Sequence, residues 1–425
     1  MAVGLGYEDR YLTEDEARET IARGLAQEKW DGKKVVALIP DHTRSGPIGM
    51  VIKMVYDAIG KQCKLFDCLV ALGTHPPMPE DKILERCELT RKEWRTKYKK
   101  MRFFNHHWDK PETFAEVGKF TEDMIEEISE GRMREEVPVA VNKMVLDYDA
   151  ILIIGPTFPH EVVGFSGGNK YIFPGISGKQ LIDAFHWLGA VITNPKINGT
   201  KWTPVRKVVD TAAAMVPVQR FCVSIVAHFG KLSGVYIGSP EDAWSDAADL
   251  SDKLHIVYKE KPYKQVLSMS PEMYDDVWTA GKCMYKLEPV VADGGELIIY
   301  APHIDEISYT HGKIIDEIGY HTIEYFLAQW GRFKGYPRGV TAHSTHVKGI
   351  GAYANGVEKP RVNVTLATRI PKARCKRVNL GYRDPATINP ADYENREGEG
   401  VLCVHKAGEM LHRLTHPPAW ARFGG

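Results

Sequence analysis

The chain predicts two α/β domains with mostly parallel sheets, and three observations support that fold class. Short apolar runs at 34–40, 64–72, 150–154 and 221–227 are each bounded by glycine, proline or polar loops. Up to about residue 265 they alternate with stretches of helical periodicity, the pattern of a parallel sheet covered on both faces. The character changes near Ser268-Met-Ser-Pro271, and 425 residues suffice for two buried cores. Domains of 1–267 and 268–425 follow, with an active cleft expected between them.

Composition excludes several classes of function. The 55 basic and 55 acidic residues balance, so neither nucleic acid nor an anionic membrane is an expected partner. The N-terminus lacks the basic-then-apolar pattern of a secretion signal, and no apolar run approaches the roughly 20 residues that span a bilayer. Seven cysteines form an odd set without C-x-x-C spacing, and Cys68 and Cys222 lie inside strand-like runs. Such thiols behave as small hydrophobes. A reduced, soluble, cytoplasmic protein is expected.

The elements follow in order. Thr13 caps a first helix whose opening turn is acidic. The strand at 34–40 runs into Asp41-His-Thr-Arg44, and a helix follows with Val51, Met54, Val55, Ala58 and Ile59 at helical spacing. A polar loop between strand and helix is where open α/β sheets bind ligands, and Arg44 there is suited to phosphate or carboxylate. The strand at 64–72 ends in Gly73-Thr-His75-Pro-Pro-Met78, with a helix from Pro79. His106 and His107 are adjacent, so on a strand they face opposite ways and make a poor metal pair. A charged helix is expected around 121–136.

The strand at 150–154 leads into the densest motif of the chain. Glycines 164, 167, 168, 175 and 178 surround Lys170, with His160 before it and His186 after it. Clustered glycines let backbone N–H groups approach a ligand and form anion-binding nests. The spacing is neither that of a P-loop nor G-x-G-x-x-G, so an ordinary nucleotide loop is not indicated. Helices at 203–216 and from Ser239 to about 259 flank a strand at 221–227. Beyond 268, a helix from Asp275 carries Trp278, Thr279, Lys282 and Tyr285. Strands are expected at 296–301, 338–345, 362–369 and 400–405, with the polar run Thr341-Ala-His343-Ser-Thr-His346 at a strand end.

The ordered set Asp41-His-Thr-Arg44, Gly73-Thr-His75-Pro-Pro, His160, Gly164-Phe-Ser-Gly-Gly-Asn-Lys170 and His186 resembles the lactate racemase family, the nickel-pincer-nucleotide enzymes. The resemblance spans both domains and weakens towards the C-terminus. It implies a cofactor, the nickel complex of pyridinium-3,5-bisthiocarboxylic acid mononucleotide, attached through Lys170 and completed by His186 as nickel ligand. It implies His75 and His160 as paired acid/base residues. Asp41, Thr43, Arg44, Gly164, Ser166, Gly167 and Gly168 would hold the nucleotide, and Lys282 would contact substrate. The implied reaction racemises or epimerises C2 of a 2-hydroxy acid by reversible hydride transfer through a 2-keto acid. Two histidines suit it, because an unperturbed pKa of roughly 6.5 lets either act as acid or base. Soft sulfurs with one imidazole favour square-planar nickel, so no cluster of protein ligands is required. Cofactor-biosynthesis proteins are implied partners.

The chain departs from the family's lactate-acting pattern at three places. Pro76 stands where those members have arginine, Thr279 where they have glutamine, and Trp278 where they have tyrosine. The last two positions face substrate in the family, and His343 and His346 add polar groups suited to hydroxyls. A larger polar or sugar acid is therefore expected rather than lactate. Three rivals remain in view. An NAD-dependent dehydrogenase would need a G-x-G-x-x-G that is not there. A silent cofactor binder is disfavoured by Lys170, His186, His75 and His160 occurring together, and a biosynthetic carrier needs no pair of acid/base histidines.

Overall fold

The computed structural model describes residues 1–423. The chain divides into two compact units. One gathers Met1–Pro159, Phe165–Ile182 and Lys201–Leu254; the other gathers His160–Gly164, Asp183–Thr200 and the chain from His255 onward. The changeover thus comes at His255, ahead of the expected 268, and two pieces of the glycine-rich region fall in the second unit. Strand pairing gives the reason. Ile256–Lys259 pairs with Leu411–Leu414, and Tyr263–Met269 is an interior strand of the second sheet. The shift of composition at 268 marks the end of that strand.

In the first unit a seven-stranded sheet has the order Val3–Gly6, Lys231–Gly238, Gln219–His228, Ala150–Pro156, Lys34–Ile39, Leu65–Val70, Met101–Asn105. The last five are mutually parallel; Lys231–Gly238 runs against them, and Val3–Gly6 pairs antiparallel with it. The sheet is therefore mixed at one edge. Central strands read as continuous apolar runs because both faces are covered: all seven residues of Ala150–Pro156 are buried, and all but the first of Lys34–Ile39. The helix Glu14–Leu25 is capped by Thr13, with Glu16 bonding back to complete a capping box, and it buries Ala17, Ile21 and Leu25 along one face.

Strand order positions the site. From Lys34–Ile39 the chain steps to Leu65–Val70 and Met101–Asn105 on one side, then returns to Ala150–Pro156 on the other. The direction of winding reverses at Lys34–Ile39, and the crevice outside the carboxyl ends of such strands is where open α/β sheets take ligands. Helix Pro204–Ala214, capped by Thr203, follows prediction. The expected charged helix around 121–136 shortens to Glu122–Ile128, because Glu130 and Gly131 turn left-handed, at φ +54° and +79°, and end it.

The second unit holds a five-stranded parallel sheet in the order Gly381–Tyr382, Asn363–Thr368, Val291–Ala301, Tyr263–Met269, Val401–Val404. One expectation is overturned: the segment expected as a strand at 338–345 is the helix Arg338–Lys348. Pro337 precedes it and Gly349, at φ +84°, ends it. Every residue from Val340 to Lys348 is buried. Burial on all sides erases the polar-apolar period that marks a surface helix, and β-branched Val340, Thr341 and Thr345 then mimic a strand. Consequently His343 and His346 are not at a strand end. They stand three residues apart, neighbours on one helical face. Among the described residues no helix is long and apolar enough to cross a membrane, and all seven cysteines are unpaired thiols.

Candidate functional site

Asp41 and His75 follow the adjacent parallel strands Lys34–Ile39 and Leu65–Val70, so the register of that pair sets them side by side. The His75 Nδ1 lies 2.5 Å from Asp41 Oδ2. The other carboxylate oxygen accepts from the Thr43 hydroxyl at 2.6 Å and the Thr43 N–H at 3.0 Å. Asp41 is 4% exposed. Burial would push its carboxyl up, but the hydrogen bond and charge of His75, with Thr43 and Arg44, more than offset that and hold it well below the usual carboxylate range. An ionised Asp41 can only accept, so Nδ1 of His75 carries a proton towards it, and in the neutral ring Nε2 is the atom with the lone pair. The His75 side chain is about half exposed (47%). Its backbone is pinned by its own N–H to Leu72 and by Trp108, whose indole N–H donates to the His75 carbonyl at 3.2 Å.

The glycine-rich loop leaves the next strand, Ala150–Pro156. Ser166 staples it there: its N–H bonds the Phe158 carbonyl, and its hydroxyl bridges the Phe158 N–H and the Pro156 carbonyl. Gly167 has φ +87°, and a Cβ built on it would stand 2.3 Å from the Thr157 hydroxyl. Gly168 has φ +57°, and its Cβ would meet Trp244 at 2.8 Å. Both positions demand glycine, for conformation and for room. Beneath the loop, Arg206 is 1% exposed and donates to the carbonyls of Phe165 and Gly167, with Trp244 stacked 3.9 Å from its guanidinium. Trp244 in turn donates its indole N–H to the Ser166 carbonyl at 2.8 Å. Asn169 is fixed by Asp210, Glu241 and Arg220. Nothing in the sequence marked Arg206 or Trp244, since their partners lie some forty to eighty residues away. Residues 162–169 are all buried, while Lys170 remains partly accessible. Arg44 lies 5.6 Å over the Phe158 ring, and its carbonyl accepts from Arg86.

In the second unit, His160 is 7% exposed and its Nδ1 accepts the Val162 N–H at 3.1 Å. A Glu161 carboxylate oxygen lies 3.4 Å from the same Nδ1. Gly164, also in this unit, accepts from the Gly199 N–H. On the helix Lys179–Ile192, Asp183 and His186 are partly accessible between buried neighbours. Around His186 stand further imidazoles. His343 stacks on Trp278 with ring centroids 3.8 Å apart, and His311 meets Trp278 at 4.4 Å. Nε2 of both His343 and His346 is buried without a hydrogen-bond partner. Burial, helped by neighbouring imidazoles that include His186, pulls the His343 pKa far down. Burial likewise brings His346 to about 4, against an opposing pull from Glu161. Both rings are neutral at pH 7. Asp276 caps the turn that presents Trp278, accepting the Thr279 N–H at 2.9 Å. Lys282 reaches over the Tyr274 ring at 4.9 Å. Gly281 lets His343 approach, since a Cβ there would stand 3.1 Å from the His343 ring. His106, by contrast, is an interior residue of the first unit. Asn142 lies 3.2 Å from its Nδ1, and burial brings it to about 4.

The first unit is an open α/β sheet that gathers an Asp–His pair and a glycine-lined lysine loop at the carboxyl ends of its central strands, where such sheets take ligands. Residues 18–199 match the lactate racemase N-terminal domain. The lactate racemase of Thermoanaerobacterium thermosaccharolyticum is 25% identical over 288 residues, covering 66% of this chain and 62% of that protein. The crystal structure of a Thermotoga maritima protein superposes with a TM-score of 0.85 at 33% identity, covering 97% of this chain and all of the other. The apoprotein structure of the Thermoanaerobacterium racemase gives 0.72 at 18% identity over 98% of this chain and shares its fold. Residues 18–199 carry a lactate racemase N-terminal domain, and the chain is a distant relative of lactate racemase, spanning 62% of that protein's length.

Proposed function

We propose that the protein inverts C2 of a 2-hydroxy acid larger and more hydroxylated than lactate, using a nickel-pincer nucleotide. The observation that carries this reading is the Asp41–His75 pair at the strand ends of the sheet that also presents the Lys170 loop. Asp41 holds the Nδ1 proton of His75, so in the neutral ring Nε2 is the base. His160 meets the Val162 N–H and, 3.4 Å away, a Glu161 carboxylate oxygen at the same Nδ1. A reaction that removes a hydroxyl proton on one side and returns one on the other needs two such proton carriers. His75 would take the substrate's hydroxyl proton while Asp41 stabilises the imidazolium, and His160, entering as the imidazolium, would protonate the carbonyl oxygen when hydride returns to the opposite face and be left neutral.

The residues present fit the cofactor. Lys170 is the partly accessible side chain at the end of a buried loop, as an acylated lysine must be, and His186 offers one imidazole among neutral neighbours. A group that brings its own sulfur donors asks for no more. Lys170 and His186 would hold it, the backbone of Gly167 and Gly168 with Arg44 would meet its phosphate, and when bound it supplies the hydride acceptor. Substrate recognition is read from neutral His343 and His346. An uncharged buried imidazole hydrogen-bonds a hydroxyl without the penalty of an unpaired charge, so these rings suit a polyol chain, and Lys282 suits the carboxylate.

The test is label retention. Protein co-expressed with the cofactor-making enzymes would be offered a panel of C2-deuterated 2-hydroxy and aldonic acids in ordinary water. Epimerised product that keeps its deuterium supports hydride shuttling. Loss of the label to solvent would mean proton abstraction and sink the mechanism. Turnover of lactate in preference to every longer acid would sink the substrate class.

A further inference from the structure

We propose that the second unit carries a separate binding site for a thiophilic divalent cation of the zinc class, formed by Glu394, Cys403 and His405. The donor atoms of these three residues lie within 4.8 Å of one another. His405 Nε2 is 3.1 Å from Glu394 Oε1. The fold explains why they meet. Cys403 lies in the edge strand Val401–Val404 and His405 two residues further on, so both side chains point to the same face of the sheet. That face is covered by the segment through the turn Pro390–Tyr393, which delivers Glu394 at its end. Cys403 pairs in register with Leu267, and Met269, two residues on, brings its sulfur to 3.9 Å from the Cys403 thiol.

The chemistry follows from the donor types. Sulfur, imidazole nitrogen and carboxylate oxygen are the three kinds of atom that Zn2+ accepts, at roughly 2.0–2.3 Å in tetrahedral geometry. Donors already gathered within 4.8 Å stand close to the separations such a shell requires. The His405 and Glu394 side chains are 61% and 44% exposed, which gives a cation access from solvent and leaves the fourth position to water. Met269 and the apolar residues beside Cys403 close the other side. All three donors stand apart in sequence from Lys170 and His186, and the site would act as a clamp, tying the covering segment to the edge strand.

Titration of the full-length protein with Co2+ tests this, because a thiolate ligand produces an intense near-ultraviolet charge-transfer band and tetrahedral cobalt produces visible bands. One equivalent should develop both, excess Zn2+ should erase them, and Zn2+ should raise the melting temperature. The bands should persist in His186→Ala, which removes the imidazole assigned to the pincer cofactor. Cys403→Ser should abolish the near-ultraviolet band. His405→Gln, at an exposed side chain that folding does not depend on, should weaken binding by about tenfold or more. Absence of a band in the wild type, a band untouched by Cys403→Ser, or full affinity in His405→Gln would each overturn the site.

Discussion

Acid should loosen the second unit before carboxylates begin to protonate, and buried histidines set the size of the effect. His412, in the strand Leu411–Leu414, is 6% exposed and its Nδ1 has no hydrogen-bond partner. Burial, with a further push from Lys259, brings its pKa down to about 4, and His346 is likewise at about 4. In the unfolded chain each would titrate at roughly 6.5. A proton therefore prefers the unfolded chain. The stability is intact above about pH 6.5, falls as the pH drops through that value, and levels off below about 4. Each such histidine removes about 2 kcal/mol between pH 7 and pH 5, and roughly 3 kcal/mol in the limit. Against a usual total of about 5–15 kcal/mol, the two together are a large share.

The perturbation is His412→Leu, read as a change of slope so that any packing change at pH 7 drops out. Urea unfolding at pH 7 and pH 5 would give the loss for each protein, and amide exchange followed by mass spectrometry would assign it to 338–348 and 411–414. With His343 titrating alongside these two, wild type should lose at least about 4 kcal/mol from the second unit, and the variant about 2 kcal/mol less. Equal losses in the two proteins, or a wild type indifferent to pH across this range, would refute the reasoning.

Other perturbations read the candidate site. Gly167→Ala forces an alanine to φ +87° and sets its methyl 2.3 Å from the Thr157 hydroxyl; strain and overpacking should cost about 2–5 kcal/mol in unfolding experiments, and cofactor loading should fall with it. Asp41→Asn leaves the shape but removes the charge opposite His75. Turnover of the loaded enzyme should drop by about a thousandfold or more with KM little changed, following the loss of tautomer control, and an intact kcat would remove Asp41 from the mechanism. Arg206→Met strips two carbonyl partners and the Trp244 stack from beneath the loop; a loss of about 3–5 kcal/mol is expected, with faster proteolysis at 165–170.

The four central strands of the first sheet were legible because burial on both faces makes them unbroken apolar runs, whereas Val3–Gly6, Lys231–Gly238 and Met101–Asn105, towards its edges, carried no such signal; Thr13 was legible because capping chemistry is local. The candidate motifs were legible for a related reason: each begins where such a run stops. What sequence order hides is pairing at a distance. Asp41 and His75 look like separate motifs until the parallel pairing of Lys34–Ile39 with Leu65–Val70 sets them together, and Arg206 looks like an ordinary helical charge until the loop carbonyls of Phe165 and Gly167 close over it. The helix Arg338–Lys348 was hidden differently, since complete burial removes the periodic signal by which helices are read.

The helical placement of His343 and His346 bears on the proposed specificity. A polar run at a strand end would splay His343 and His346 to different surroundings. On one helical face they stand together, buried and neutral, with unpartnered Nε2 atoms and Trp278 stacked on the nearer ring. Orphaned polar atoms this deep cost about 1–3 kcal/mol each when nothing meets them. A ligand hydroxyl that does meet them recovers that cost, and one lacking hydroxyls at the right carbons does not. Discrimination of this kind rejects the shorter acid by leaving its partners unsatisfied. His343→Phe, which keeps the stack on Trp278 and removes the polar atom, should therefore narrow the preference for hydroxylated acids over lactate. If competition assays on the loaded enzyme show the preference unchanged, substrate hydroxyls are read elsewhere.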